Sequence, residues 1–369
     1  RVPFDRLKAV TDENGSVKGI FERAPVMRES LKDRILKNLP GTLPLTGDLG
    51  YKLIDVKTGK VSMEQFVSQL SFDELEAITR GAYIMNNPLG AKGNAGVMAG
   101  VLPSLREKGV PPITTTDGPS GIRLAATCSL LPNGVSLACS FNKELVRELY
   151  AEFSKEMHDR GSDIILAPGM NIHRNPLCGR NFEYFSEDPL LSGRTAAAVV
   201  LGVQGNGLSA CPKHFACNDQ ETNRTHNDSR VSERALREIY LKGFEICVKE
   251  ARPGNIMTSY NKINGVWGHY NYDLVTTILR GEWGYDGNVM TDWWMQKDES
   301  HEFPGIVDQG YRIRAGVDVL MPGGARVGKK KPDGTFAKSV KAGLTLGEAQ
   351  HCAMHVLKMA MNNKLGGEE

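Results

Sequence analysis

Asn288-Val289-Met290-Thr291-Asp292-Trp293-Trp294 is a short apolar run, preceded by Gly287, that stops at a carboxylate followed by two indoles. A run of this length and composition suits a strand buried on both faces. Its acid then emerges at the carboxyl end of the strand, where α/β barrels keep their chemistry. An acid so placed is presented as a nucleophile would be, and the indoles beside it offer faces on which a sugar ring could stack. The plainer reading is an Asp that caps the next helix, and the rest of the chain has to decide between them.

Similar runs recur on both sides of it: Ile113 to Thr116, Val135 to Cys139, Ile164 to Ala167, Leu208 to Cys211, Ile256 to Ser259, Val289 to Thr291 and Val317 to Met321. Helical patterns separate them. Ser232 to Ala251, for example, carries Leu236, Ile239, Gly243 and Ile246 at helical spacing behind a Ser cap. Such alternation implies parallel strands with crossover helices. Seven or so units suit a closed (β/α)8 TIM-like barrel better than an open doubly wound sheet, and no Gly-x-Gly-x-x-Gly fingerprint follows the first strand. Capping boxes at Ser62 and Ser71 open the first helices, with Val61 and Phe66 placed as a hydrophobic staple. Residues 1–60, with a hairpin expected at Tyr51 to Val56 and Val61, read as an N-terminal extension or linker; residues 61–369 read as the barrel.

Composition narrows the function. The 369 residues are 40% hydrophobic and 24% charged, as in ordinary globular proteins. A formal net charge of +2 from well-mixed charges favours neither nucleic acid nor an anionic membrane. No apolar run approaches the roughly 18 residues of a spanning helix, so a soluble protein is expected. The seven cysteines (128, 139, 178, 211, 217, 247, 352) form no Cys-x-x-Cys pair, which points to a reducing, cytoplasmic setting without a disulfide framework or zinc. The absence of a leader pattern sets aside the glycosylation matches at Asn223 and Asn227. A chain that starts at Arg1 reads as a fragment or a processed product.

In a barrel, residues just past each strand converge on one mouth. Here these are Asp117, then Asn171, His173 and Arg180, then Lys213 and His214, then Tyr260 and Asn261, and finally Asp292. Such groups can grip vicinal hydroxyls, and Arg180 and Lys213 favour an ionised carboxylate nearby.

The motifs that carry these residues resemble glycoside hydrolase family 3, in its β-glucosidase branch, over residues 65 to 325. They are Thr116-Asp117-Gly118-Pro119-Ser120-Gly121, Gly179-Arg180-Asn181-Phe182-Glu183 with Ser186-Glu187-Asp188-Pro189, Lys213-His214-Phe215 with Asn218, Gln220 and Glu221, and Met257-Thr258-Ser259-Tyr260-Asn261 through Val289-Met290-Thr291-Asp292-Trp293. The resemblance implies a retaining hydrolase of β-glucosides or oligosaccharides with Asp292 as nucleophile. It also implies that Asp117, Arg180, Lys213 and His214 hold the sugar in subsite −1, lined by Tyr260 and Trp293. An Asp at 117 implies glucose-like more than pentose substrates, and the chemistry needs no metal or organic cofactor.

Retaining hydrolysis also needs a second carboxyl about 5–5.5 Å from the nucleophile. In this branch the resemblance places that Glu on an αβα-sandwich domain, of which nothing is recognisable here. The chain then reads as the barrel of a reversed-domain-order member, its acid/base lying on a missing part or a partner chain. Two alternatives stay open. One is a single-domain β-N-acetylglucosaminidase-like enzyme using His226, with Asp228, as proton donor; that branch has Pro-Gly after its Lys-His pair, where this chain has Ala216-Cys217. The other is a sugar-binding barrel that is catalytically incomplete. Glu183, Glu187 and Glu221 are expected to brace Arg180 and Lys213. The glycine and lysine spacing of Gly323 to Lys329 misses a phosphate loop because Lys330 stands where Ser or Thr should be. His351 and His355 lack a third metal ligand.

Overall fold

The computed structural model describes residues 5–23, 29–324 and 331–365. They form two compact units, divided between Leu39 and Pro40. The first contains an antiparallel hairpin, β1 (Asp5–Thr11) and β2 (Val17–Arg23), closed by Arg6 to Glu22 and Arg23 to Asp5 ion pairs. A helix Leu31–Lys37 follows, capped by Ser30.

The second unit is the barrel, and it starts earlier than the expected boundary at residue 60. Leu53 is fully buried in one core with Phe66, Val67 and Leu70, and the Gln69 side chain bonds the backbone of Leu49 and Tyr51. The hairpin expected around Tyr51 to Val56 is instead a helical turn, Leu53–Lys57, started by the Lys52 N–H donating to Asp55. The helices Met63–Ser68 and Phe72–Ile78 begin at the expected capping boxes.

Among the described residues, eight staves close the ring. Arg80 pairs in parallel with Leu320, and the Ala82 N–H donates to the Val97 carbonyl. Next come β3 (Gly96–Ala99), β4 (Pro112–Asp117), β5 (Ile164–Leu166) and β6 (Ser209–Ala210) in one hydrogen-bonded sheet. Just past β6, Phe215 bridges to Thr258. A small sheet lies outside the ring, made of β7 (Asp228–Ser229), β9 (Lys262–Ile263) and β10 (Val266–Trp267). Beside the bridge runs β8 (Asn255–Met257), then β11 (Asn288–Trp293) and β12 (Val319–Met321), which returns to Arg80. One stave departs from the all-parallel expectation: β3 runs antiparallel to β4, because the link from Arg80 to Gly96 contains no crossover helix.

Side chains alternate between two cores, as period-2 geometry requires. Ile165, Ala210, Ile256 and Val289 face a cluster that also holds residues of helices Pro189–Gln204 and Lys242–Ala251. Ile164, Leu166, Cys211, Met257, Met290 and Met321 belong to the other cluster. Burial on both faces explains why these strands read as unbroken apolar runs. The expected strand Val135 to Cys139 is a helix, Gly134–Cys139, because Asn133 caps it by accepting from the Ser136 N–H. The helix expected over Ser232 to Ala251 is present, with one wider π turn at Leu236–Tyr240. His355 bonds Asp318, which also holds Arg280, so this histidine serves packing at the start of β12. Most of the lysine-bearing loop after Gly324 lies outside the described residues. Among the described residues, no helix is long and apolar enough to cross a membrane, and no group of three His, Cys, Asp or Glu could hold a metal ion.

Candidate active site

A cavity of about 440 Å³ opens at the carboxyl ends of the staves. Asp117, Arg180, Lys213, His214, Tyr260, Asp292 and Trp293 all line it, so the residues that the resemblance places in the site are brought together. Of the other strand-end residues, Asn171 and Asn261 are structural. Asn171 brackets the backbone of His214, accepting from its N–H at 2.8 Å and donating to its carbonyl at 2.9 Å. Asn261 donates to the Ala216 carbonyl. His173 is not among the lining residues; its N–H donates to the Ser186 carbonyl.

Asp117 ends β4 and is followed by Gly118, whose φ of +133° and contact with the Gly121 carbonyl leave no room for a Cβ. The chain therefore turns at once, and the Arg123 N–H donates back to the Asp117 carbonyl. The turn brings Arg123 to the acid that Lys213 meets from past β6: Lys213 Nζ lies 2.9 Å from Asp117 Oδ1, and Arg123 Nη2 lies 2.7 Å from Oδ2. Burial pushes this carboxyl up, but Lys213, Arg123 and Arg180 outweigh it and bring its pKa down to about 2.

Asp292 is 8% exposed and sits at the floor of the cavity. Its Oδ1 accepts from the Trp293 N–H at 2.7 Å, and His214 Nε2 stands 3.6 Å from Oδ2. Burial raises this carboxyl above its ordinary range; the Trp293 N–H, Arg180, Lys213 and the Tyr260 hydroxyl oppose the shift without cancelling it. His214 is held neutral, its pKa driven well below the usual value by burial and then by Arg180, Lys213 and Arg224. Its Nδ1 lies 3.1 Å from the Tyr184 hydroxyl.

Arg180 is fixed by Glu183, with Nε donating to Oε1 at 2.7 Å, and its Nη1 lies 3.9 Å from Glu221. Glu183 and Glu221 thus brace Arg180, as the sequence suggested, while Lys213 is held by Asp117 instead. The two indoles divide their tasks. Trp293 is buried and donates from Nε1 to the Ala95 carbonyl at 2.8 Å. Trp294, in a left-handed backbone conformation with φ of 52°, is half-buried and also lines the cavity. His226 is exposed and does not line it; its ring meets Thr225 and Gln296, while Asp228 is taken by the Gly265 N–H and Arg230.

Sequence reasoning missed Arg123 and Arg224, both lining residues. The Gly-Pro-Ser-Gly turn after Asp117 was the signal for Arg123. For Arg224 it was the three-residue spacing from Glu221, which it meets at 2.9 Å.

Fold and site together define an α/β barrel with a polar pocket, of monosaccharide size, at its strand ends. Residues 54–357 match the glycosyl hydrolase family 3 N-terminal domain, and the chain belongs to that family. It is 42% identical over 356 residues to a β-glucosidase of Ruminococcus albus, a match covering 95% of this chain and 37% of that protein. A solved β-glucosidase from Paenibacillus barengoltzii superposes with a TM-score of 0.87 at 45% identity, over 100% of this chain and 40% of the other. β-Glucosidase 3B from Thermotoga neapolitana, solved in complex with glucose, gives a TM-score of 0.74 at 39% identity over 81% of this chain and 42% of that one. The chain therefore spans well under half the length of these relatives.

Proposed function

We propose that this chain is the nucleophile-bearing barrel of a retaining β-glucosidase. The observation that carries the reading is the buried Asp292 carboxylate at the floor of a sugar-sized cavity ringed by Asp117, Arg180, Lys213 and His214. In the first step an Asp292 oxygen attacks the anomeric carbon and the glycosidic bond breaks, giving a glycosyl ester and an aglycone that leaves with a proton from the acid. In the second, water activated by the same group, now a base, cleaves the ester and frees Asp292. Asp117 and Lys213 accept from and donate to the sugar hydroxyls, and Tyr260 and Trp293 enclose the ring. Treating the full-length protein with a 2-deoxy-2-fluoro-β-glucoside and mapping the labelled peptide should place the label on Asp292; a label on any other residue sinks the reading.

The proton donor comes from elsewhere, on an αβα domain of the longer protein or on a partner chain. The other carboxylates lining the cavity, Asp117 and Glu183, are both tied up in ion pairs, and Asp117 is ionised far below neutral pH. The barrel alone is then a sugar-binding module with half a catalytic site. Assayed by itself, it should release the phenol of an activated aryl glucoside in a burst, because that step needs little acid help, then turn over slowly for want of the base, and leave cellobiose intact. Equal turnover of the two would place the donor within this chain. The free thiols, four of them buried, fit a reducing cytoplasmic setting.

A further inference from the structure

Arg224 carries no part of the chemistry described so far, yet it lines the cavity. It lies in the loop that follows the Lys213-His214 pair, before β7. Its guanidinium stands 4.8 Å from the centroid of the Tyr260 ring, within the range in which a cation is attracted to an aromatic face. Its Nη1 donates to Glu221 Oε2 at 2.9 Å. The other oxygen of Glu221 accepts from Asn218 at 2.9 Å and lies 3.9 Å from Arg180. Arg224 is thus anchored to the cluster that braces Arg180.

The far side of Tyr260 is where this matters. Its hydroxyl donates to the Trp293 carbonyl at 2.8 Å, and the Trp293 N–H in turn donates to Asp292 Oδ1 at 2.7 Å. The hydroxyl also opposes the rise that burial imposes on the Asp292 carboxyl. A phenol ring half-open to a cavity has freedom to swing, and the fixed cation on its face removes that freedom. The Arg224 charge also makes the hydroxyl a better donor, opposing the upward shift that burial imposes on it.

We propose that Arg224 is a positioning residue. Held by Glu221, its guanidinium clamps the face of Tyr260 and so keeps the Tyr260 hydroxyl on the carbonyl of Trp293, the residue whose N–H holds the Asp292 carboxylate. This rests on the reading that Asp292 attacks the sugar, and it adds a residue that acts on the nucleophile through Tyr260 and Trp293 without touching it.

The test is the rate of covalent trapping of the full-length protein by 2,4-dinitrophenyl 2-deoxy-2-fluoro-β-glucoside, which reports the attack step and needs no acid. Arg224→Gln should slow trapping about tenfold at saturating reagent, with little change in the half-saturating concentration, and Arg224→Lys should recover part of the loss. In a Tyr260→Phe background, Arg224→Gln should slow trapping no further, because the clamped hydroxyl is already gone. Equal slowing in both backgrounds, or a rise only in the half-saturating concentration, overturns the proposal and makes Arg224 a direct contact of the sugar. A label on a residue other than Asp292 in the unmodified protein overturns the functional reading and this proposal with it. A label on Asp292 with additive slowing overturns the proposal alone.

Discussion

Asp292→Gly is expected to lower kcat on an aryl glucoside by roughly 10⁴-fold or more, the scale seen when an enzyme loses its nucleophile but keeps its binding groups. The backbone should tolerate the change: among the described residues Asp292 makes no ion pair with Lys or Arg, its His214 neighbour at 3.6 Å is neutral, and its carboxyl is raised by burial, so the fold loses little by its removal. Azide, filling the space left by the carboxylate, should restore turnover and give the α-glucosyl azide, since attack now comes once instead of twice. Rescue with the β-azide, or no rescue in a folded variant, would remove Asp292 from the attacking role. The same group sets a pH limb. Attack needs the ionised form, so kcat/KM falls as pH drops through the pKa of Asp292, and burial places that limb above the ordinary carboxylate range. An activated aryl glucoside isolates it, because no acid is then needed at the other end of the bond.

The parts of this site that could be read in the sequence are those fixed by a stave. Ile164–Leu166, Asn255–Met257 and Asn288–Trp293 are buried on both faces, so they appear as unbroken apolar runs, and the polar residues that end them point into one mouth. Val135 to Cys139 is similarly apolar apart from Ser136 and is helical, because a capping Asn133 decides locally what so short a run leaves open. Gly96–Ala99 went unseen for the opposite reason: a strand of Gly, Val, Met and Ala carries little β signal, and only its pairing with β4 makes it one.

Arg123 and Arg224 show where strand-end logic stops. Both sit in loops, and both reach the cavity only because the loop turns back, Arg123 through the Gly118 turn and Arg224 through its bond to Glu221. Periodicity carries no information about such returns; turn geometry and long-range charge pairing do. The site thus has a legible layer supplied by the barrel and an illegible one supplied by its loops, and the second layer is where both missed cations lie.

Lys213→Met joins the two layers and should be the most damaging change short of the nucleophile. Lys213 is 4% exposed and its ammonium lies 2.9 Å from Asp117, whose other partner, Arg123, is largely exposed to solvent. Losing one charged hydrogen bond to substrate costs roughly 1.5–3 kcal/mol. With Asp117 misplaced as well, kcat/KM should fall roughly 10²-fold or more, by that same scale of loss. Stability should fall too, and its pH dependence identifies the cause. Asp117 has a folded pKa of about 2 against an ordinary 3.8. That difference is worth at most about 2.5 kcal/mol. A depressed carboxylate stabilises fully above its unfolded pKa and loses that contribution as pH falls through its folded pKa. The gap in urea midpoint between the unmodified protein and Lys213→Met should therefore be widest above about pH 5 and narrow toward about pH 3. A gap that stays constant over this range would mean that the methionine disturbs packing, and that Asp117 does not depend on Lys213 for its charge.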